Sequence, residues 1–187
     1  MENRKQIEIQ YYDKRAEEQL SLPQDKQGGD FEGFDPFLLS SFSYLKQYLK
    51  DKCKNKDILD YGCGYGVHAW WLAKYWANVT AIDLSEKSLE IARKRAGKEG
   101  VLEKIKFIKM DCEKLDFPDK SFDIIFDGGA FSSLDLDKAF PELARVLKPN
   151  GFLIGIETFG HNPLTNLKRR LNKFSGKRTE WAASHIF

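Results

Sequence analysis

The sequence predicts an α/β fold: a doubly wound, mostly parallel sheet flanked by helices on both faces. Five short apolar or β-branched runs alternate with stretches of helical periodicity, the pattern of a parallel sheet whose crossovers are helices. The first run leads directly into a glycine-rich turn, Gly62-Cys63-Gly64-Tyr65-Gly66, and then into an apolar helical stretch. Four carboxylates, Asp60, Asp83, Asp111 and Asp127, fall at the carboxyl ends of successive runs. In open α/β sheets ligands bind at that edge, so the four acids in register point to one shared site.

The first strand is Ile58-Leu59-Asp60-Tyr61. A side chain at Gly62 or Gly64 would stand where a ligand approaches the backbone, and tight turns often need φ above zero. A dinucleotide fingerprint reads Gly-x-Gly-x-x-Gly, with its third glycine against the helix and pyrophosphate at the helix N-terminus. Here that third position is Val67, and the glycine falls one residue early at Gly66. Asp60 would repel pyrophosphate but accept from an ammonium. Read alone, the turn also fits a plain strand-to-helix connection.

The string Asp60-Tyr61-Gly62-Cys63-Gly64-Tyr65-Gly66 resembles the first motif of class I S-adenosylmethionine-dependent methyltransferases, in particular the small-molecule, type 11-like group. The resemblance covers about residues 57 to 158. It implies a Rossmann-like sheet with S-adenosyl-L-methionine across the strand tips and S-adenosyl-L-homocysteine as product. Asp60, Gly62, Cys63 and Gly64 would then meet the cofactor.

The second strand, Val79-Thr80-Ala81-Ile82-Asp83, ends 17 residues after Gly66. An acid there accepts hydrogen bonds from ribose hydroxyls in nicotinamide and S-adenosylmethionine enzymes alike, and Leu84 joins it in the expected contact set. Ser85 supplies the N-cap of the next helix. The third strand, Ile105 to Met110, precedes Asp111-Cys112. By the resemblance, Asp111 accepts from the adenine amino group and the Cys112 backbone meets the ring. Taken alone, an Asp after a strand is a common turn residue.

Ser121 to Gly129 contains the fourth, fully buried strand and ends in Asp127. By the resemblance, Ala130-Phe131-Ser132-Ser133-Leu134 runs past the sulfonium and lines the acceptor pocket. Leu136, Phe140, Leu143, Ala144 and Leu147 recur at helical spacing, and Pro141 is expected to fall in the first turn. Lys148-Pro149-Asn150-Gly151 stops this helix before a fifth strand, Phe152 to Ile156. The string from Ala144 to Leu153 resembles the same family's helix-turn-strand.

Residues 1–56 read as an amino-terminal helical cap, 57–158 as the cofactor-binding core and 159–187 as a basic tail, one domain in all. In the cap, Phe37, Leu38, Phe42, Leu45 and Leu49 predict a helix, and Gln24 to Gly33 a loop. Gln10 to Ala16 resembles the segment that covers the cofactor in many small-molecule methyltransferases. Tyr11 or Tyr12 would close over the sulfonium, since aromatic faces attract cations; the alternative is a tyrosine packing a surface helix. The tail carries Lys168, Arg169, Arg170, Lys173, Lys177 and Arg178, either a solvated helix face or a groove for an anionic acceptor. The sheet is expected to lack the family's last two strands, and its fifth strand to be covered by a second chain, as a homodimer, or by the last helix.

With 42% hydrophobic and 31% charged residues the chain fits one soluble core, and a net charge of only +2 does not favour nucleic acid. No transmembrane run or secretory segment is visible, so a cytoplasmic protein is expected. The three cysteines predict neither a disulfide nor a metal site. Methyl transfer needs alignment and a dry site rather than a protein nucleophile. His161 is the candidate general base should the acceptor be a hydroxyl or amine, and His68 is expected to pack or to touch the cofactor. A noncatalytic cofactor-binding or partner subunit is the alternative, with a nicotinamide-dependent oxidoreductase behind it. The acceptor itself has no readable code.

Overall fold

The protein is described by a computed structural model over residues 2–23, 39–75, 77–157, 179 and 181. Its centre is β1 (Asp57–Tyr61), flanked by β2 (Asn78–Asp83) and β4 (Phe122–Asp127). Beyond them lie β3 (Ile105–Lys109) and β5 (Leu147–Gly155), giving the order β3-β2-β1-β4-β5 with every pairing parallel. The chain order reverses between β1 and β4, and a crevice opens at such a switch point.

The strands form where the sequence is apolar on both sides of the pleat, as parallel strands covered on both faces require. Ile58, Leu59 and Tyr61 of β1 are wholly buried, as are Ile124, Ile125 and Phe126 of β4. Alternate residues feed two cores. Ile58, Ile124 and Phe126 meet Leu49 of α2 (Leu39–Lys50), Leu72 of α3 (Val67–Lys74) and Leu89 of α4 (Glu86–Lys98). On the other face Leu59, Tyr61 and Ile125 meet Leu143 and Val146 of α5 (Leu136–Val146). A longer helix, α1 (Glu2–Leu20), precedes all of these and packs against α4.

Two expectations are corrected at the last crossover. Pro141 sits in the second turn of α5, not the first, on the helix's exposed side. There its missing N–H and its ring interrupt one turn where water can reach the freed carbonyl. The fifth strand starts at Leu147 rather than Phe152, because Leu147 already pairs with Phe122 before the chain loops out. Pairing resumes between Phe152 and Ile124, and Asn150 takes a left-handed φ of 66° within the loop. Lys148 holds this excursion down, its Nζ donating to Asp57 at 2.7 Å and to Asp123 at 2.9 Å.

Among the described residues no helix is long and apolar enough to cross a membrane. The basic tail, with the last helix expected over β5, falls outside the described residues, as do the loop from Gln24 to Gly33, Phe37 and Leu38.

Candidate functional site

The glycine turn leaves β1 with Gly62, Gly64 and Gly66 at φ of 67°, 51° and 70°, all left-handed. A Cβ on Gly62 would lie 2.6 Å from the Ala130 Cβ, and one on Gly66 would lie 2.7 Å from the Ala92 Cβ. These two glycines seat the turn against the 130 segment and α4. A Cβ on Gly64 would meet nothing within 4 Å. Its open side faces the crevice, so bare backbone is exposed to the cleft there.

Asp83, at the tip of β2, braces this turn. Its Oδ2 accepts from Gly64 N–H at 2.9 Å and its Oδ1 from Ser85 N–H at 2.8 Å. Burial raises its pKa, and the N–H groups of Ser85, Gly64 and Leu84 work against that rise. Ser85 caps α4 by accepting from Ser88 N–H at 3.0 Å, and its own hydroxyl donates to Asp13 of α1 at 2.5 Å. One side chain therefore starts a helix and ties down the cap. The Tyr61 hydroxyl donates to the Cys112 carbonyl at 2.5 Å, fixing the corner after β3 to the tip of β1.

Helix α1 closes the mouth of the crevice. Arg4 pairs with Glu113 and donates to the Ser133 carbonyl at 2.9 Å, while Lys5 pairs with Asp111 and Glu113. For Lys5, burial opposes the charge, but the two carboxylates outweigh it and raise the ammonium's pKa. Tyr12 reaches Ser133 Oγ at 3.1 Å, and burial foremost lifts its pKa to about 12, so it stays a neutral phenol. Glu17 pairs with Lys87 further along. Thr179 donates to Glu8, and the Trp181 ring lies 4.6 Å beneath the Arg4 guanidinium.

What remains is a cleft of about 270 Å³. That is just under the range of about 300 Å³ upward usual for small-molecule sites, with α1 side chains reaching into it. Of the residues expected from the sequence, Tyr12, Gly62, Gly64, Asp83, Leu84, Asp111 and Cys112 line this single cleft. Ala130, Ser133 and Leu134 line it too, from the segment expected to face the acceptor. Tyr11, Cys63, Asp60 and Asp127 are not on its wall, and His161 lies outside the described residues. Tyr11 packs edge-on against Tyr12, ring centroids 5.2 Å apart, and Cys63 is buried under the turn. His68 packs on Phe126 with ring centroids 4.8 Å apart, and burial lowers its pKa to about 4.

Asp60 and Asp127 lie beneath the floor of the cleft. Asp60 is 1% exposed, and neither of its oxygens has a hydrogen bond of ordinary length. Burial first, then the neighbouring Asp127 and Asp83 charges, push its pKa to about 8, which the Ala69 N–H only weakly opposes. Asp127 accepts from Gly129 N–H at 3.1 Å and Ala130 N–H at 3.0 Å. Burial and then the charge of Glu157 hold its pKa up at about 7. Glu157 accepts from Phe131 N–H at 2.7 Å and so grips the far side of the 130 segment. The strand tips thus carry desolvated acids that hold protons near neutral pH, a setting in which a nearby cation favours their ionised form and a nearby anion opposes it. Sequence reasoning missed Arg4, Lys5, Glu113 and Arg15 on the wall; a run of charged residues at the chain start gave no sign of partners more than 100 positions away.

The fold and this cleft define a class: an α/β domain with a small-molecule-sized cleft above a sheet's switch point and buried acids at the strand tips beside its glycine turn. A model of the methyltransferase domain matches residues 59–155, and the chain belongs to that family. It is 34% identical over 147 residues to the uncharacterised methyltransferase YodH of Bacillus subtilis, covering 74% of this chain and 62% of YodH. It is 36% identical over 122 residues to the sterol 24-C-methyltransferase ERG6B of Gibberella zeae, covering 64% of this chain and 32% of that one. Among solved structures it is similar to the [4+2]-cyclase SpnF, with a TM-score of 0.55 and 28% identity over 61% of this chain and 44% of that chain. The chain therefore spans between about a third and two thirds of the length of these relatives.

Proposed function

We propose that the protein binds S-adenosyl-L-methionine in this cleft and transfers its methyl group, by in-line displacement, to a small-molecule acceptor. The observation that carries this reading is the convergence of Gly64, Asp83 and Asp111 on one cleft above an acidic ledge. On this reading Asp83 accepts from ribose hydroxyls and Asp111 from the adenine amino group. Asp60 and Asp127, which hold protons near neutral pH in the free protein, would ionise under a ligand with an ammonium and a sulfonium and so favour it.

A methyl group on a sulfonium is already activated, so the chain's part is to align it and exclude water. Tyr12 and Ser133 form a hydroxyl pair on the acceptor side of the cleft, suited to orienting a polar acceptor. His161 stays the candidate general base for a hydroxyl or amine acceptor. The relatives' names support an organic metabolite as acceptor, and the basic tail supports an anionic one. SpnF is named a [4+2]-cyclase rather than a methyltransferase, which supports keeping a second reading, in which this chain binds the cofactor without methylating.

Calorimetric titration with S-adenosylmethionine, S-adenosylhomocysteine and NAD tests the cofactor. Binding of the first two but not the third is expected, and binding of NAD alone would overturn the proposal. Formation of S-adenosylhomocysteine against a metabolite extract separates methyl transfer from the noncatalytic reading.

A further inference from the structure

Helix α2 and the turn after it carry two stripes at i, i+4 spacing. Leu45, Leu49 and Cys53 are buried and anchor the segment in the core. One position earlier in each turn, Tyr44, Tyr48 and Lys52 share a neighbouring face, with Tyr44 71% and Tyr48 39% exposed. The Lys52 and Cys53 N–H groups both donate to the Leu49 carbonyl at 2.9 Å, which carries the two stripes past the helix end. The outer stripe is ordered: the tyrosine rings stack with centroids 6.3 Å apart, and the Lys52 amine lies 4.8 Å from the Tyr48 centroid. Phe152 of β5 meets Tyr48 edge-on at 6.3 Å and steadies the row against the sheet. Charge beside the row has one sign. Of the seven residues from Lys50 to Lys56 four are lysine and one, Asp51, is acidic. Lys50, Lys52 and Lys54 are exposed, and Lys56 is shared with Asp123 at 3.5 Å. The segment feeds the amino end of β1, so these lysines lie at the end of the sheet opposite the cleft.

We infer that this face of α2 docks on an anionic lipid bilayer, with the lysines against acidic headgroups and the tyrosine rings in the interfacial layer. A tyrosine has an apolar body and a polar tip, which suits a boundary that is greasy on one side and wet on the other. Lysine stems lie along apolar surface while their amines stay at headgroup level, and a cluster of them adds the attraction of a negative leaflet. Two other partners fit less well. A second copy of the chain meeting this patch across a two-fold axis would set lysines against lysines. A single nucleic-acid strand stacks its bases on open ring faces, whereas Tyr48 gives one face to Lys52 and stacks on Tyr44. A contact of this kind is peripheral, needs no spanning helix, and leaves the mouth of the cleft uncovered.

The test is cosedimentation of the full chain with vesicles of phosphatidylcholine alone and of phosphatidylcholine with about one third phosphatidylglycerol. Wild-type protein is expected to prefer the anionic vesicles by roughly tenfold or more, and added salt should narrow that preference. Lys50→Glu combined with Lys52→Glu should abolish it. Tyr44→Ser should weaken binding to the anionic vesicles several-fold while leaving the salt dependence in place. All these side chains are exposed, so the variants should melt with the wild type, and melts on the same samples check that they are folded. Wild-type protein that stays in the supernatant with both vesicles would overturn the inference, as would variants that bind as wild type does. Dimerisation in sedimentation velocity that is lost in the variants would assign the face to a second copy and overturn it too. The same holds for capture of a single-stranded oligonucleotide that the variants no longer bind.

Discussion

Lys5 and Asp111 form an ion pair across the mouth of the cleft, so the carboxylate proposed to meet adenine is already held by the protein's own first helix. On the proposed reading a ligand would have to displace an internal cation to reach Asp111. Lys5→Met is therefore expected to tighten binding, by about 1 kcal/mol or roughly fivefold for a partly exposed pair. The readout is titration of neutral 5′-methylthioadenosine, which removes any general charge effect on a cationic ligand. Weaker binding in the variant would show that Lys5 supports the site rather than guarding it.

Asp83 joins two backbone segments and, on the proposed reading, the ribose. Asp83→Ala should weaken cofactor binding by about 1.5–3 kcal/mol, the range for hydrogen bonds to a charged group. It should also lower the melting temperature, because the Gly64 and Ser85 N–H groups lose their acceptor. Calorimetry and thermal melts on the same sample check both. Unchanged affinity would remove Asp83 from the site.

The three turn glycines should separate by function. Gly66→Ala drives a Cβ to 3.0 Å from the Ala92 Cα and, with its left-handed φ, is expected to destabilise the fold by about 2–4 kcal/mol. At Gly64 an added Cβ meets no protein atom within 4 Å, so Gly64→Val carries the strain of its left-handed φ without a clash there, and should leave a folded, less stable chain that cannot take up the cofactor. Circular dichroism melts beside titration distinguish the two. Retained binding in Gly64→Val would contradict the placement of the ligand over that residue.

Asp60 gives a pH dependence whose sign is fixed by its raised pKa. Between the ordinary carboxylate value of 3.8 and about 8 the folded chain keeps a proton that the unfolded chain has lost. Unfolding then releases a proton, and stability falls as pH rises through that window. His68, neutral when folded down to about pH 4, has the opposite slope below 6.5. From pH 6.5 to 8 only the carboxyl effect remains, at up to about 1.4 kcal/mol per pH unit for each group. The ligand-free protein should melt lower at pH 8 than at 6.5, and Asp60→Asn should flatten that slope. An unchanged slope in the variant would count against the protonated Asp60.

The central strands were legible because residues such as Ile58, Leu59, Ile124 and Ile125 are buried on both faces and read as unbroken apolar runs. The glycine turn and Asp83 were legible because their chemistry is local, set by conformation and strand ends. The early start of β5 was hidden, since Leu147 looks like the last apolar position of a helix until Phe122 is beside it. The cap was hidden for the same reason: nothing near Arg4 or Lys5 in the chain announces Glu113 and Asp111. Asp60 and Asp127 read as wall residues because strand-end acids are usually exposed, whereas here the glycine turn and α3 roof them over.

Asp60 and Asp127, sealed under the floor, also bear on turnover. Sealed from water they hold protons near neutral pH, but a positive charge above them favours their ionised form, and the attraction that follows is felt more fully than it would be at a surface. A sulfonium donor arrives positive at sulfur and leaves as an uncharged thioether. On the proposed reading each methyl transfer would therefore erase one of the forces that hold the donor in place, and the same sealed acids that recruit the fresh molecule would lose their grip on the spent one.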